Sequence, residues 1–402
     1  MQPSRTELFQ RFDVRFAASV LIAGLLIATW YHSLLWTLDD RGFSLLSKRL
    51  PYWDFTNLWA GSRMALDGHV ADLFDVETYR AALRSMFSPD LPDQEWSYPP
   101  SIILLGAPLA ALPILPAYLV WTFGTVFCLW LATRPLKLGP AAELAIILSP
   151  AVFMNAVFGQ NGALTTALLV GGLAVAPRRP LLAGVLFGLL TIKPHLGLLV
   201  PFCLVASGNW RTVWAAAASA TVLAVATGLL FGFEVWPHFF KETRALMTAI
   251  MEAPFPQPYH SNAMTVFFLA RARGFGLGVS YGLQAISTVT AIAAAVWLWL
   301  PQRRAEHRER VVITALLAIL ATPYGYTYDT ICVAIAAVFL FVTAPKAPAI
   351  VLACFWFYAL VAHVFNNSGL GIGVFVPATL AVWMLVSIRQ RERRELFAPT
   401  RA

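Results

Sequence analysis

Between Val14 and Ile388 this chain is a succession of apolar runs, many near the length of a bilayer crossing, joined by short hydrophilic links. A helix needs roughly 20 apolar residues to cross the hydrocarbon core. Only helices and closed barrels satisfy their backbone in lipid, and continuous runs of this kind lack the alternation of barrel strands. Of the 402 residues, 58% are hydrophobic and 12% charged, whereas a soluble domain carries about 25% charged residues. A water-soluble fold would have too little interior to hide that apolar surface. The expected fold class is an all-α polytopic membrane protein, one membrane-embedded domain over 1–402.

The first run, Val14 to Trp36, has no small-residue cleavage site after it and reads as an anchor helix. Cys128, Cys203, Cys332 and Cys354 sit within apolar runs and read as small hydrophobes. The formal charge is +8, but the basic residues fall in clusters between runs, so topology rather than nucleic acid explains them. The clusters are Arg5/Arg11/Arg15, Arg134/Lys137, Arg178/Arg179, Arg211, Arg303/Arg304/Arg308/Arg310, Lys346 and Arg389/Arg391/Arg393/Arg394. Placing all of them in the cytoplasm predicts spans near 14–36, 115–134, 141–157, 162–176, 180–192, 195–208, 212–232, 278–300, 310–322, 330–344, 349–365 and 371–388. That makes about 12 transmembrane helices with both termini inside and a basic cytoplasmic tail at 389–402. The apolar stretch 100–112 follows Pro99-Pro100 and is too short to cross comfortably; it is expected as a re-entrant or interfacial helix.

The long first loop, 37–98, carries ten acidic residues against six basic ones, consistent with the extracytoplasmic side. Within it, Phe55 to Leu66 reads as an amphipathic helix ended by Asp67-Gly68, and Asp75 as the cap of a helix running to about Phe87. Trp53, Trp59, Trp96 and Tyr98 suit an interfacial depth. A second outer loop covers about 233–277.

The topology drawn from basic clusters places a set of polar residues on one side: Asp54, Gln160-Asn161, Lys193 and His195, His260 to Asn262, Tyr324 to Asp329, and Asn366-Asn367. Ionisable groups at membrane depth cost about 2.5–3.5 kcal/mol each on insertion scales, so they usually line a cavity or site. Asp54, just ahead of a helix, fits an N-cap or a general base; spacing alone favours the cap. Lys193, next to a helix-breaking proline, fits a lysine snorkelling to the interface or an anchor for phosphate. His195 and His260 could serve as acid, base or phosphate donor. Tyr324 belongs to an aromatic turn of the kind found in interfacial belts, and Asp329 could position sugar hydroxyls or act as a second carboxylate. Gly274-Phe-Gly-Leu-Gly278 precedes no βαβ unit, and no zinc spacing or ATPase phosphate loop is present in the sequence.

The run Tyr52-Trp-Asp-Phe-Thr-Asn-Leu-Trp-Ala-Gly-Ser-Arg-Met-Ala-Leu-Asp-Gly68, followed by Tyr98-Pro-Pro100, resembles the start of the glycosyltransferase family 87 proteins. So do Gly159-Gln-Asn161, the glycine-rich Leu182 to Pro194, His260-Ser-Asn262 and Thr322 to Asp329. The resemblance runs roughly from Pro51 to Asp329. It implies a membrane glycosyltransferase of the GT-C fold that takes a hexose, mannose favoured, from a polyprenyl-phosphate-sugar donor. The acceptor would be a glycan or glycolipid on the outer face of a bacterial plasma membrane. The family's first-loop acid falls on Asp54, which turns the balance towards the base, and its Lys-Pro falls on Lys193-Pro194. His260-Ser-Asn262 departs from the commoner asparagine–glutamine–serine pattern, and the tyrosine-rich turn replaces one with tryptophan or histidine.

A polyprenyl phosphate is a good leaving group, so the tasks are to activate the acceptor hydroxyl and stabilise developing charge. Asp54 fits the first and Lys193 with a histidine the second. Direct displacement with one base inverts the anomeric centre. No cofactor is needed, and a divalent metal between Asp54 and the phosphate is compatible but not required. The alternative class is a lipid-linked sugar transporter or flippase, although transporters usually place ligand groups near the bilayer midplane.

Overall fold

A computed structural model describes residues 5–396. Residues 1–4 and the last part of the expected cytoplasmic tail, 397–402, lie outside the described residues. The chain runs through α1 (Arg5–Leu35), α2 (Trp53–Leu66), α3 (Val76–Met86), α4 (Ile103–Ala110), α5 (Ile114–Thr133), α6 (Pro140–Ile147), α7 (Pro150–Phe158), α8 (Gly162–Val175), α9 (Pro180–Leu189) and α10 (Val200–Ala206). It continues with α11 (Trp210–Phe231), α12 (Val235–His238), α13 (Arg244–Glu252), α14 (Val266–Ala272), α15 (Leu277–Trp299), α16 (His307–Leu320), α17 (Ile331–Thr343), α18 (Ala349–Asn367) and α19 (Phe375–Leu396). Among the described residues the only β pairing is two isolated bridges.

Each of the twelve expected spans coincides with a helix or a broken helical pair, but among the described residues six rather than twelve have the length and hydropathy of a full crossing. These lie in α1, α5, α11, α15, α18 and α19, and the pair α6–α7, bent by 41°, would make a seventh. The long helices form a shell whose outer faces are apolar and exposed, as at Leu26 in α1 and Leu229 in α11. The short α8, α16 and α17 are buried almost throughout. A helix apolar all round belongs in an interior, and one shielded by protein need not reach across the bilayer unaided.

The remaining breaks have local causes. Ser149 accepts a hydrogen bond from the Val152 N–H and, with Pro150 in the first helical position, starts α7 afresh. Beyond α9 the chain tightens into a 3-10 turn. It leaves helical geometry at Lys193 (φ −141°, ψ 70°), before Pro194 opens another 3-10 turn. The glycine-rich character of α9 is a packing seam. A Cβ on Gly184 would collide with Ala215, and one on Gly188 with Ser219, both in α11. Small residues spaced four apart let membrane helices approach backbone to backbone.

The first loop is a packed platform. α2 begins at Trp53, two residues earlier than Asp54 needs to be its cap; Tyr52 holds the cap position without a side-chain cap bond. The expected amphipathic α2 is instead buried on most sides. Its backbone and side chains are tied to α3 and to the segment before α4. Gln94 Nε2 donates to the Trp53 carbonyl (2.7 Å), Asn57 Nδ2 to the Glu95 carbonyl (2.9 Å), and the Tyr79 hydroxyl to the Asn57 side chain. α4 lies against α2, where Gly106 gives room to Ser62. Trp53 and Trp96, expected at interfacial depth, are core residues of this platform, Trp96 because the absence of a side chain on Gly61 admits its ring. Asp75 caps α3 as expected, accepting from the Thr78 N–H at 2.8 Å.

The two ends of α8 separate two kinds of chemistry. At its C-terminal end, His307 Nε2 meets the Ala174 carbonyl and Asn209 Nδ2 donates to the Ala176 carbonyl (both 3.1 Å). Nearby in sequence, Arg391 pairs with Glu309 (2.6 Å) and Arg303 with Glu392 (3.4 Å). The basic clusters at 178–179, 211, 303–310 and 389–394 are therefore tied to one end of the bundle. The polar set holding Asp54 gathers at the other.

Candidate functional site

The site is assembled by main-chain contacts around the α7–α8 turn. Gly159 turns the chain in the left-handed region (φ +66°), where glycine is least strained, and a Cβ there would strike Phe55 of α2. Gly162 presses against the Tyr328 carbonyl, leaving no space for a Cβ. The Gly159 carbonyl accepts from Trp121 Nε1 at 3.1 Å. Gln160 and Asn161 are thereby wedged between the Asp54 helix and the 327–329 turn.

Asp54 occupies the first turn of α2, where unsatisfied N–H groups favour an anion. Gln160 hydrogen-bonds its carboxylate, and Arg49 and Lys193 lie within electrostatic reach. Those three effects favour the charged form. Desolvation is larger and pushes the carboxyl from 3.8 up to about 6. At neutral pH it is ionised and a stronger base than an ordinary carboxylate. Its charge also reaches Tyr98, Tyr259 and Tyr328. For Tyr98 and Tyr259, desolvation and the nearby negative charge push the phenols upward, so both stay protonated donors.

Lys193 is 8% exposed and bonds Asp329 Oδ1 at 2.5 Å, while Tyr328 presents its ring 4.7 Å from the ammonium. Asp329, 3% exposed, accepts from the Tyr326 N–H with its other oxygen at 3.1 Å. A buried pair satisfied in this way holds its partners firmly, whatever its net worth. The pair joins the break after α9 to the turn before α17.

A second layer comes from the outer loop after α11. Ala263 and Tyr326 form a bridge, the Met264 N–H donates to the Gly325 carbonyl (2.9 Å), and Thr327 Oγ1 donates to Asn262 Oδ1 (3.2 Å). Tyr259 packs edge-on to Tyr326, ring centroids 5.1 Å apart. His195 lies 5.8 Å from the Tyr324 ring. His260 is set deeper in the loop, stacked on Phe255 at 5.1 Å, with its Nδ1 accepting from the Gln257 N–H.

The structure therefore brings Asp54, Gln160, Asn161, Lys193 and Asp329 together, with Asn262, His195 and Tyr324 around them. His260 shapes the loop beside the group. Among the described residues, His195 Nε2 and Asn161 Oδ1 are buried without a hydrogen-bond partner, as are His260 Nε2 and Tyr326 Oη beside them, so the group holds unspent polar atoms that a ligand hydroxyl could meet. Sequence reasoning passed over Arg49, Tyr98 and Tyr259 as site residues. Arg49 and Tyr98 stood in the long first loop and Tyr259 beside His260, with only proximity in sequence to Asp54 or His260 as a signal. Such an arrangement offers one basic carboxylate, a fixed cation and several neutral donors, suited to deprotonating a hydroxyl beside an anionic leaving group.

No curated protein sequence and no solved structure matches the chain. The family model for glycosyltransferase family 87 matches residues 96–323. That match begins at Trp96, after Asp54, and ends before Asp329, yet takes in Gln160, Lys193 and His260. It covers more than half of the chain, so this multi-pass helical protein is an enzyme that transfers glycosyl groups and belongs to glycosyltransferase family 87.

Proposed function

We propose that this chain transfers a hexose, mannose favoured, from a polyprenyl-phosphate-linked donor to a glycan or glycolipid acceptor on the extracytoplasmic face of a bacterial plasma membrane. The observation that supports it is the Asp54 carboxyl, raised to about 6, bonded to Gln160 and within electrostatic reach of Lys193, which is itself held by Asp329. In this reading the short helices complete about twelve crossings, with the basic end of the bundle in the cytoplasm.

Asp54 takes the proton of the acceptor hydroxyl as its oxygen attacks the anomeric carbon. The bond from that carbon to the phosphate oxygen breaks, the electron pair leaves with polyprenyl phosphate, and the anomeric centre inverts. A carboxylate near 6 is matched to this task at neutral pH, because proton transfer is most effective when the base titrates close to the working pH. Lys193 supplies fixed positive potential, and the free acceptor and donor atoms on Asn161 and His195 suit sugar hydroxyls.

The test is incubation of purified protein with polyprenyl-phospho-mannose and a glycolipid acceptor. Release of polyprenyl phosphate in step with an inverted product is expected. Turnover of a nucleotide sugar, with polyprenyl-linked sugars inert, would overturn the proposal.

A further inference from the structure

We infer that Arg49 is the residue that grips the phosphate of the lipid-linked donor, a role for which Lys193 is already committed elsewhere. The inference rests on the proposed transfer from a lipid-linked donor and names the group that recognises that donor.

Five arginines stand in the first loop. Arg41 is paired with Asp39 and Asp90, Arg63 with Asp67, Arg80 with Glu77 and Glu95, and Arg84 with Asp93. Arg49 has no carboxylate within ion-pair distance among the described residues. It is nonetheless held in place. Its guanidinium carbon lies 5.0 Å from the centroid of the Trp53 ring, and Trp53 is buried next to Asp54. Its carbonyl accepts from the Ser44 N–H at 2.8 Å, and Leu50 behind it is buried. From there its charge reaches Asp54 on one side and His363, near the end of α18, on the other.

Lys193 has the opposite character. Buried and bonded to Asp329 at 2.5 Å, it adds a fixed potential that its partner partly offsets, so it offers an incoming anion less than an unpaired cation would. A phosphate approaching Asp54 meets repulsion from the carboxylate and needs an uncommitted cation nearby. Arginine suits this place because its planar fork stacks on an aromatic ring while binding two phosphate oxygens at once.

The experiment compares wild type, Arg49→Ala and Arg49→Lys as full-length protein in detergent or nanodiscs. Arg49 is exposed, so both variants are expected to fold normally. With polyprenyl-phospho-mannose as donor, Arg49→Ala raises the donor KM by about tenfold or more, the range of a lost charge-assisted contact. Inhibition by the product, polyprenyl phosphate, weakens by a similar factor, acceptor KM stays unchanged, and Arg49→Lys falls between. Donor KM and polyprenyl phosphate inhibition within twofold of wild type in Arg49→Ala would remove Arg49 from the role. If wild type itself releases no polyprenyl phosphate from any donor, the functional reading falls, an outcome separable from an unaffected Arg49→Ala in an active enzyme.

Discussion

Asp54→Asn is expected to cut catalysis by orders of magnitude and to stabilise the protein at the same time. A carboxyl raised from 3.8 to about 6 is less comfortable as an anion in the folded chain than in the unfolded one. Each pKa unit is worth about 1.4 kcal/mol, so carrying the charge costs on the order of 3 kcal/mol once the group is fully ionised. The sign comes from proton binding. Below pH 4 the group is protonated in both states and contributes nothing. Between about 4 and 6 the unfolded chain releases its proton first, so folding stability falls as pH rises, and above 6 the penalty is constant. Asparagine keeps an acceptor for Gln160 and carries no charge, so it escapes the penalty. Thermal unfolding of detergent-solubilised protein should give the variant a higher Tm at pH 7.5 and a difference that shrinks towards pH 4. Transfer should fall by roughly 10²- to 10⁴-fold, the usual contribution of a general base. A variant less stable than wild type at pH 7.5, or one whose transfer rate stays within tenfold of wild type, would refute the argument.

The same geometry leads to three further outcomes. For wild type, kcat/KM should fall as pH drops through about 6, the acid limb set by Asp54 in the free enzyme; a limb near pH 4 would assign the base to an unperturbed group. Lys193→Met strands Asp329 and should cost about 3–5 kcal/mol. Adding Asp329→Asn should recover part of that loss, and additive losses in the unfolding of the four proteins would show that the 2.5 Å contact carries no coupling. Gly162→Ala should push the 327–329 turn away from α8 and destabilise by roughly 1–3 kcal/mol, with transfer reduced, since its Cβ meets the Tyr328 carbonyl; wild-type Tm and rate would show that the turn yields freely.

Much of this was legible in the residues. The apolar runs marked a helix or a broken helical pair at each expected span, six of them among the described residues with the length and hydropathy of a full crossing, and the polar residues grouped from the basic clusters, Asp54, Gln160, Lys193 and Asp329, do meet. Hydropathy could not tell lipid from protein surroundings, which is why α8, α16 and α17 read like the lipid-facing helices although they are short and enclosed by protein. The partner of Lys193 was hidden because Asp329 lies 136 residues away and no local pattern joins them. The buried α2 read as amphipathic because the groups covering its polar side chains, Tyr79 and the Glu95 carbonyl, come from later in the same loop. Arg49 was one cation among six in that loop until the structure paired off the other arginines.

The seam between α9 and α11 reaches beyond packing. Gly184 and Gly188 leave no slack against Ala215 and Ser219, so the two helices move as one unit, and Lys193 stands a few residues past the end of that unit. A change that alters the tilt of α11, such as a shift to a thicker bilayer, would be expected to carry α9 with it and so bear on the ammonium position. The expected outcome is a transfer rate that varies with bilayer thickness, read by reconstitution in lipids of graded chain length; a rate unchanged across the series would show that the two helices are not coupled to the site.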